Sequence, residues 1–406
     1  QEGETPERMV HRVVHVVMDG CSVKEQDGIS DFISELKFLP NSPCLMNAGT
    51  EIGQLCACFA LPVGDSMESI FEAIKNMALV QKSGGGTGFS FSRLRPEGDK
   101  VKSTGGIASG PVSFLKIFNA ATEEVKQGGR RRGASLATLN VNHPDIMRFI
   151  HCKQDTGQIT NFNISVGVTD EFVRAVKDDA DFNLVNPRDG EAMQVVRARH
   201  LWDEIVQGAW ETGEPGLLFL DTINADNPTP GLGRIETTNP CGEVPLLPYE
   251  ACVLGSINLS KFVKHGNTLH IDFDTLNDVV FAAVRFLDNV IDVSVYPLPE
   301  IAEMTRANRK IGLGVMGWAD MLYKLGVPYD SEEAISLAGQ VMGYISAKAI
   351  EASEALALER GAFPNFDWSI YKDDKPRRNA AVTSIAPTGT LADIALTTYG
   401  IEPEYA

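Results

Sequence analysis

TTNPCGEVPLLPYEACVL, residues 237–254, places a thiol between an amide and a carboxylate: Asn239, Cys241 and Glu243, with a second thiol at Cys252. In an extended or finger-like loop, residues two apart point the same way, so these three side chains are expected to share one side. A carboxylate beside a thiol raises the thiol pKa, which disfavours a thiolate nucleophile. No histidine stands close in sequence to offset it. The residue types suit a neutral thiol that exchanges a hydrogen atom, with Glu243 as general base and Asn239 as hydrogen-bond anchor. A cysteine taken blindly is more often an inert small hydrophobe, and nothing in the spacing accounts for Cys252.

Around this stretch lies a chain of 406 residues, longer than an average domain and within reach of one large α/β barrel with an appendage. Its composition, 43% hydrophobic and 22% charged, is ordinary for a globular protein. No run approaches the roughly eighteen consecutive apolar residues of a membrane span, and the opening QEGETPERMVHRVV has no signal-peptide pattern. No membrane association and a cytoplasmic location are therefore expected. A net charge of −18 argues against a general nucleic-acid surface, so a polyanionic ligand must find a local basic patch. The seven cysteines (21, 44, 56, 58, 152, 241 and 252) show no disulfide framework. With no CxxC or HExxH set, no metal site is expected, and Cys56 and Cys58 form only a lone CxC.

Strand and helix patterns alternate, which predicts an α/β protein. Amphipathic helices are expected over 6–20 and 29–38, the second capped by Ser30, within a small helical N-terminal part spanning 1–40. Helical spacing recurs over 141–150, 200–210, 275–292 and 331–359, and Ser66-x-x-Ser69 opens a further helix that closes in glycines. CACFALPV, TGFSFSRL, ASLATLNV, FNISVGVT, GLLFLDTI and AAVTSIA read as strands. Such alternation does not separate a barrel from an open doubly wound sheet.

Glycine-rich motifs need individual weighing. GLGVMG, 312–317, spells GxGxxG, but the polar, basic EMTRANRKI precedes it where a nicotinamide fingerprint needs an apolar strand. Close glycine packing at a strand-to-helix turn is the expectation there. KSGGGTGFSF lacks the spacing of a P-loop. KQGGRRRGAS, 126–135, gathers cations around glycines in an acidic chain and suits an anion. SIAPTGTLAD, 384–393, offers hydroxyls and Gly389 ahead of a helical run, a pattern that is an N-cap more often than a phosphate site.

Through NSPCLMNAGT, CACF, SGGGTGFSFSRLRP, KQGGRRRGA, NFNISV, NPCGE, CVLGSINLS, RKIGLGVMGWADML, APTGT and GIEP, in family order from Asn41 onward, the sequence resembles the catalytic (large) subunit of ribonucleotide reductase. It is most similar to the adenosylcobalamin-dependent class II enzymes. The resemblance implies a ten-stranded α/β barrel of two five-stranded half-barrels over 41–406, with Cys241 at the tip of a central finger loop. It implies that a radical from homolysis of the cobalamin Co–C bond makes a thiyl at Cys241, which removes the ribose 3′ hydrogen of a ribonucleoside di- or triphosphate. Glu243 would take the 3′-OH proton and Asn239 hold the ribose hydroxyls. Cys58 and Cys252 would be the reducing pair that ends as a disulfide, with Cys44 and Cys56 as bystanders.

Substrate contacts carry over to Ser42, Ala57, Pro387, Thr388, Gly389 and Thr390, with Gln127 and Arg131 reading the base. A deoxynucleoside triphosphate effector carries over to Asp65, Lys82, Arg95 and Lys126, at an interface that implies a homodimer. The partners implied are a nucleotide substrate, that effector, and a thioredoxin-like or small-thiol reductant, with no nucleic acid. Relatives commonly continue past GIEP to a re-reducing cysteine pair, and many carry an N-terminal ATP-cone. Neither pattern occurs in these residues, so overall control by ATP and dATP is not expected of them. Two rivals stand beside this reading. One is a class I catalytic subunit fed by a separate metal-containing radical subunit. The other is an idle nucleotide-binding regulator, against which the intact Asn239, Cys241, Glu243, Cys58 and Cys252 speak.

Overall fold

The computed structural model describes residues 3–100, 105–125, 133–155, 157–266 and 269–404. The chain divides into two compact units: Cys58–Asn227 with Gly233–Glu250, and Gln1–Ala57 with Pro228–Leu232 and Ala251–Ala406. Among the described residues, no helix is long and apolar enough to cross a membrane.

In the first of these units, strands β2 (Cys58–Ala60), β3 (Gly86–Ser90), β4 (Ser135–Asn140), β5 (Phe162–Val168) and β8 (Gly216–Phe219) lie side by side in that order. Each pairs in parallel with the next. Helices α4 (Met67–Lys82), α5 (Gly110–Glu124), α6 (Ile146–Ile150), α7 (Asp170–Lys177), α8 (Ala198–Thr212) and α9 (Leu220–Ala225) fill the connections. An antiparallel hairpin, β6 (Asp181–Val185) and β7 (Ala192–Arg197), sits between α7 and α8.

The period-two alternation of a strand gives this sheet two different faces. Phe89 of β3 and Phe162 of β5 turn outward onto Phe118 of α5, with ring centroids 5.1 Å and 6.5 Å away. Gly86, Gly88 and Ser90, which alternate with Thr87 and Phe89 along β3, face the other way and are small. Helix α4 starts as its sequence predicts, the Ser66 hydroxyl accepting from the Ser69 N–H at 3.1 Å. Over 141–150, by contrast, only α6 is helical, because Pro144 confines the helix to the residues after it.

The other unit opens with α1 (Pro6–Val17), α2 (Val23–Ser34), β1 (Phe38–Pro40) and α3 (Ser42–Asn47). The second helix differs from expectation: it begins seven residues earlier than Ser30, where Ser22 and Glu25 form a reciprocal capping box, and it stops before Phe38, which is a strand residue. Ser30 lies inside that helix. The unit continues with β11 (Ala251–Asn258), the hairpin β12 (Val263–His265) and β13 (Leu269–Ile271), α10 (Phe273–Val293), α11 (Pro299–Asn308), β14 (Ile311–Met316), α12 (Trp318–Leu325), α13 (Glu332–Arg360) and α14 (Gly389–Ala395). Strand β11 pairs antiparallel with β1 and parallel with β14.

AAVTSIA does not form the expected strand. It runs beside β14 and makes one isolated parallel bridge, Leu313 to Thr383, with the Leu313 N–H donating to Val382 O at 2.9 Å. Gly312 and Gly314 lie within β14, where a Cβ would come 2.5 Å from Leu254 Cδ2 and 2.2 Å from Ser384 O. The glycines of GLGVMG thus serve close packing, as expected, but two of the three do so inside the strand. Gly317 takes the turn into α12 at φ +73.

Helix α10 is buried along Val280, Ala283, Val284, Leu287, Val290 and Ile291, which recur at helical spacing, and also at Asp288. That carboxylate, fully buried, gathers Arg309 Nε at 2.8 Å, Asn379 Nδ2 at 3.0 Å, Arg378 Nε at 3.3 Å and Arg360 at 3.4 Å. Arg309 also meets Asp292 through a fork of 2.7 Å and 2.9 Å.

Candidate active site

Asn239, Cys241 and Glu243 sit on a short hairpin of β9 (Thr237–Thr238) and β10 (Pro245–Leu246), paired Thr238 to Pro245 and Thr237 to Leu246. Between the strands the chain closes on itself. The Asn239 N–H donates to Val244 O at 3.2 Å, and the Gly242 N–H donates to Asn239 O at 3.1 Å. The Asn239 side chain accepts from the Val244 N–H at 3.0 Å. Gly242 takes φ +87, a left-handed value that glycine adopts without penalty.

The backbone here is a closed turn rather than an extended loop, and the three side chains differ in burial. Asn239 is buried, Glu243 half-buried and Cys241 exposed. Among the seven cysteines, Cys241 alone is exposed, and none is bridged.

The hairpin rests on the small-residue face of the parallel sheet. A Cβ at Gly88 would fall 1.7 Å from Thr238 O, and one at Gly86 would fall 2.8 Å from the Pro240 ring. Thr138 of β4 shares a hydroxyl bond of 3.0 Å with Thr237, and Asn163 of β5 donates to Pro240 O at 2.9 Å. Gly86, Gly88 and Asn163 are contributions that motif reading missed. The alternation of Gly86, Gly88 and Ser90 in GTGFS was the available signal for a face that something approaches closely.

The turn brings three expected groups together. Asn239 Nδ2 donates to Cys58 Sγ at 3.1 Å, so the amide lies on the sulfur of one expected reducing thiol. Burial pushes the Glu243 carboxyl above its ordinary range, opposed by hydrogen bonds from its own backbone and from Asn239. The carboxyl is therefore a stronger base than a solvated one.

The other expected residues fall elsewhere. Cys252 belongs to the other unit, buried on β11, where its thiol donates to Val253 O at 3.6 Å. The missing side chain at Gly312 keeps the space beside that sulfur clear, since a Cβ there would sit 3.4 Å away. Ser42 is the first residue of α3 and half-buried, as is Ala57. Pro387, Gly389 and Thr390 are exposed at the start of α14. Thr388 holds φ +60 at the N-cap position without capping the helix; its hydroxyl accepts from the Gly400 N–H at 2.7 Å. Such a φ is strained for a β-branched residue.

Arg95 and Asp65 form an ion pair of 2.8 Å, while Lys82 lies at the far end of the 16-residue helix α4, about 24 Å of helical rise away. Lys126, Gln127 and Arg131 lie outside the described residues. Among the described residues, no group of three or more His, Cys, Asp or Glu side chains could hold a metal ion.

Comparison with known proteins gives the family. A family described as "Ribonucleotide reductase, barrel domain" matches residues 56–377. The chain is 56% identical over 378 residues to the vitamin B12-dependent ribonucleoside-diphosphate reductase of Thermoplasma acidophilum, covering 93% of this chain and 49% of that protein. It is 55% identical over 388 residues to the vitamin B12-dependent ribonucleoside-diphosphate reductase of Mycobacterium tuberculosis, covering 95% and 54%. To the ribonucleoside-diphosphate reductase subunit alpha of Chlamydia muridarum it is 31% identical over 481 residues, covering 99% and 45%. The chain spans about half the length of the curated relatives it matches. With a buried parallel sheet, a hairpin seated on its glycines and a family match running through both, the chain belongs to the ribonucleotide reductase family, in the part that forms the barrel domain.

Proposed function

We propose that this chain reduces ribonucleoside di- or triphosphates to 2′-deoxyribonucleotides by thiyl-radical chemistry at Cys241. The observation that carries this reading is the closed hairpin turn. It exposes Cys241 while seating Asn239 on Cys58 and holding Glu243 as a carboxyl of raised proton affinity.

Once Cys241 carries the radical, its sulfur takes the ribose 3′ hydrogen, leaving a thiol and a carbon-centred radical. Glu243, as carboxylate, accepts the 3′-OH proton, and Asn239 leaves Cys58 to hold the ribose hydroxyls. The 2′-OH departs as water. Cys58 and Cys252 together supply two electrons and two protons, ending as a disulfide, the 3′-OH proton returns from Glu243, and the 3′ hydrogen returns from Cys241.

Adenosylcobalamin fits this chemistry, because an exposed thiol is the group such a cofactor can reach, and Cys241 is the thiol that would face it. When bound, it supplies a carbon-centred radical by homolysis of its cobalt–carbon bond. The B12-dependent relatives at 55–56% identity, against 31% for the subunit alpha relative, favour this source over a separate metal subunit.

The rest of the assignment belongs to the same proposal. Substrate contacts fall to Ser42, Ala57, Pro387, Thr388, Gly389 and Thr390, with Gln127 and Arg131 at the base. A deoxynucleotide effector falls to Asp65, Lys82, Arg95 and Lys126 in a homodimer. A thioredoxin-like or small-thiol reductant acts in the cytoplasm. Exposed Gly389 and Thr390 support the substrate part.

The test is anaerobic incubation with nucleotide, dithiothreitol and adenosylcobalamin, followed for deoxynucleotide. Product without a second subunit is expected. Failure to form product or bind cobalamin would sink the B12-dependent assignment, and a Cys241→Ala variant that still reduced nucleotide would sink the mechanism.

Glu243 adds a pH prediction. Its proton affinity is raised above the ordinary 4.5, so turnover is expected to climb with pH through a value above that. Glu243→Gln is expected to lose this limb and lower kcat by about 10²–10⁴-fold. A carboxyl whose folded pKa exceeds its unfolded one binds its proton more tightly when folded. Its charged form therefore takes stability away as pH rises from the unfolded value through the folded one. The Gln variant should accordingly be at least as stable as wild type at pH 7, and a marked loss in its melting temperature would contradict the assignment.

A further inference from the structure

Asn163 lies on β5, on the face that carries the hairpin, and is exposed there. Its Nδ2 donates to Pro240 O at 2.9 Å. That carbonyl belongs to the peptide joining Pro240 to Cys241, so the bond acts on the plane from which Cys241 begins. The Pro240 ring is confined from a second side, by β3, where a Cβ at Gly86 would lie 2.8 Å from Pro240 Cγ and 3.2 Å from Cδ.

Proline fixes its own φ. With the ring seated over Gly86, the rotation left to the chain at Pro240 is ψ, and the direction of the carbonyl sets it. The hydrogen bonds within the turn fix Asn239, Gly242 and Val244 to one another. They leave the Pro240 carbonyl to be oriented from outside the hairpin.

We propose that Asn163 is a positioning residue that fixes the Pro240–Cys241 peptide and thereby aims the Cys241 sulfur at its substrate. This rests on the reaction proposed at Cys241. An amide suits the task because it is a neutral donor. An aspartate in the same place would present a second acceptor to a carbonyl oxygen, and an alanine would leave the peptide free to rotate. A misplacement of 1 Å at a reacting atom costs about 100-fold in rate, so a small rotation at the tip is enough to show.

Wild type, Asn163→Ala, the isosteric Asn163→Asp and the donor-retaining Asn163→Gln separate the possibilities. Hydrogen exchange of the tip amides at 241–244 reports the tether without reference to turnover. Steady-state nucleotide reduction reports its consequence. In the Ala and Asp variants, tip exchange is expected to accelerate by about ten-fold or more, as for a local opening made easier. The ladder amides at 237 and 246 should stay as in wild type. In the same variants kcat should fall by about 10–100-fold with KM within a factor of about three, and Gln should recover part of the loss.

Unchanged tip exchange in Ala and Asp overturns the tether. A looser tip with kcat unchanged overturns the positioning role. A looser tip in variants of a wild type that reduces no nucleotide supports the tether and instead removes the proposed reaction.

Discussion

Replacing Gly88 by alanine is expected to abolish most turnover while leaving every polar group of the proposed site in the sequence. The added Cβ would lie 1.7 Å from Thr238 O and 2.8 Å from the carbonyl carbon. Nonbonded carbon contacts need about 3.5 Å, and the obstruction is backbone, so no rotamer change relieves it. The hairpin must withdraw by more than 1 Å or β3 must bend.

Either shift moves Cys241 relative to groups held by the sheet, and a displacement of that size is expected to lower kcat by about 100-fold or more. Overpacking of this kind typically costs about 1–3 kcal/mol as well, visible as a lower melting temperature. Gly339→Ala, in α13 where a Cβ meets nothing within 4 Å, is the control. It should gain about 0.5–1 kcal/mol from helix propensity and leave turnover unchanged. A Gly88→Ala protein with wild-type kcat would show that the seating of the hairpin does not matter to the reaction.

The largest loss of stability is expected from Asp288→Ala. Asp288 is fully buried and accepts from Arg309 at 2.8 Å, Asn379 at 3.0 Å and Arg378 at 3.3 Å, with Arg360 at 3.4 Å. Arg309 is itself almost wholly buried, and its bonds to Asp292 and Asp288 outweigh the burial that would otherwise disfavour its charge.

Removing the carboxylate leaves buried cations facing an apolar hole, a change that costs about 3–5 kcal/mol. A drop in melting temperature on the order of 5–10 °C should follow. Burying charge is itself costly, so the pair need not be worth that much. Asp288→Leu combined with Arg309→Met is expected to recover part of the loss. A single Asp288→Ala variant melting within about 1 °C of wild type would show that water or rearranged side chains satisfy the arginines, against the buried-charge argument.

Much of the fold was legible because local rules decide it. The 3.6-residue spacing over 275–292 marked α10, which buries Val280 to Ile291, and that over 331–359 marked α13. What failed did so where a stronger local signal or a tertiary partner overrode the one that was read. Ser30 matched a cap, but the Ser22–Glu25 box offered two bonds instead of one and took the start of α2. AAVTSIA has strand residues, yet it finds only one bridge on β14.

In the site, the types and order of Asn239, Cys241 and Glu243 carried the chemical reading. Their burial was not legible there, because it is set where Gly242 turns the chain back on itself. Asn163 stood inside a quoted motif with no role, since a side chain aimed at a carbonyl 77 residues away leaves no mark in sequence.

By itself, then, the sequence determined which functional groups this protein owns, the alternation of strands and helices, and the family to which it belongs. These depend on residue identity and short-range spacing. Only the tertiary structure decided that Cys241 is exposed while Asn239 is buried on Cys58, and that Glu243 is desolvated enough to hold its proton more tightly. It also showed that two glycines of β3 exist to admit a hairpin. Exposure, desolvation and clearance are properties of what surrounds a residue, and the surroundings come from segments far apart in the chain.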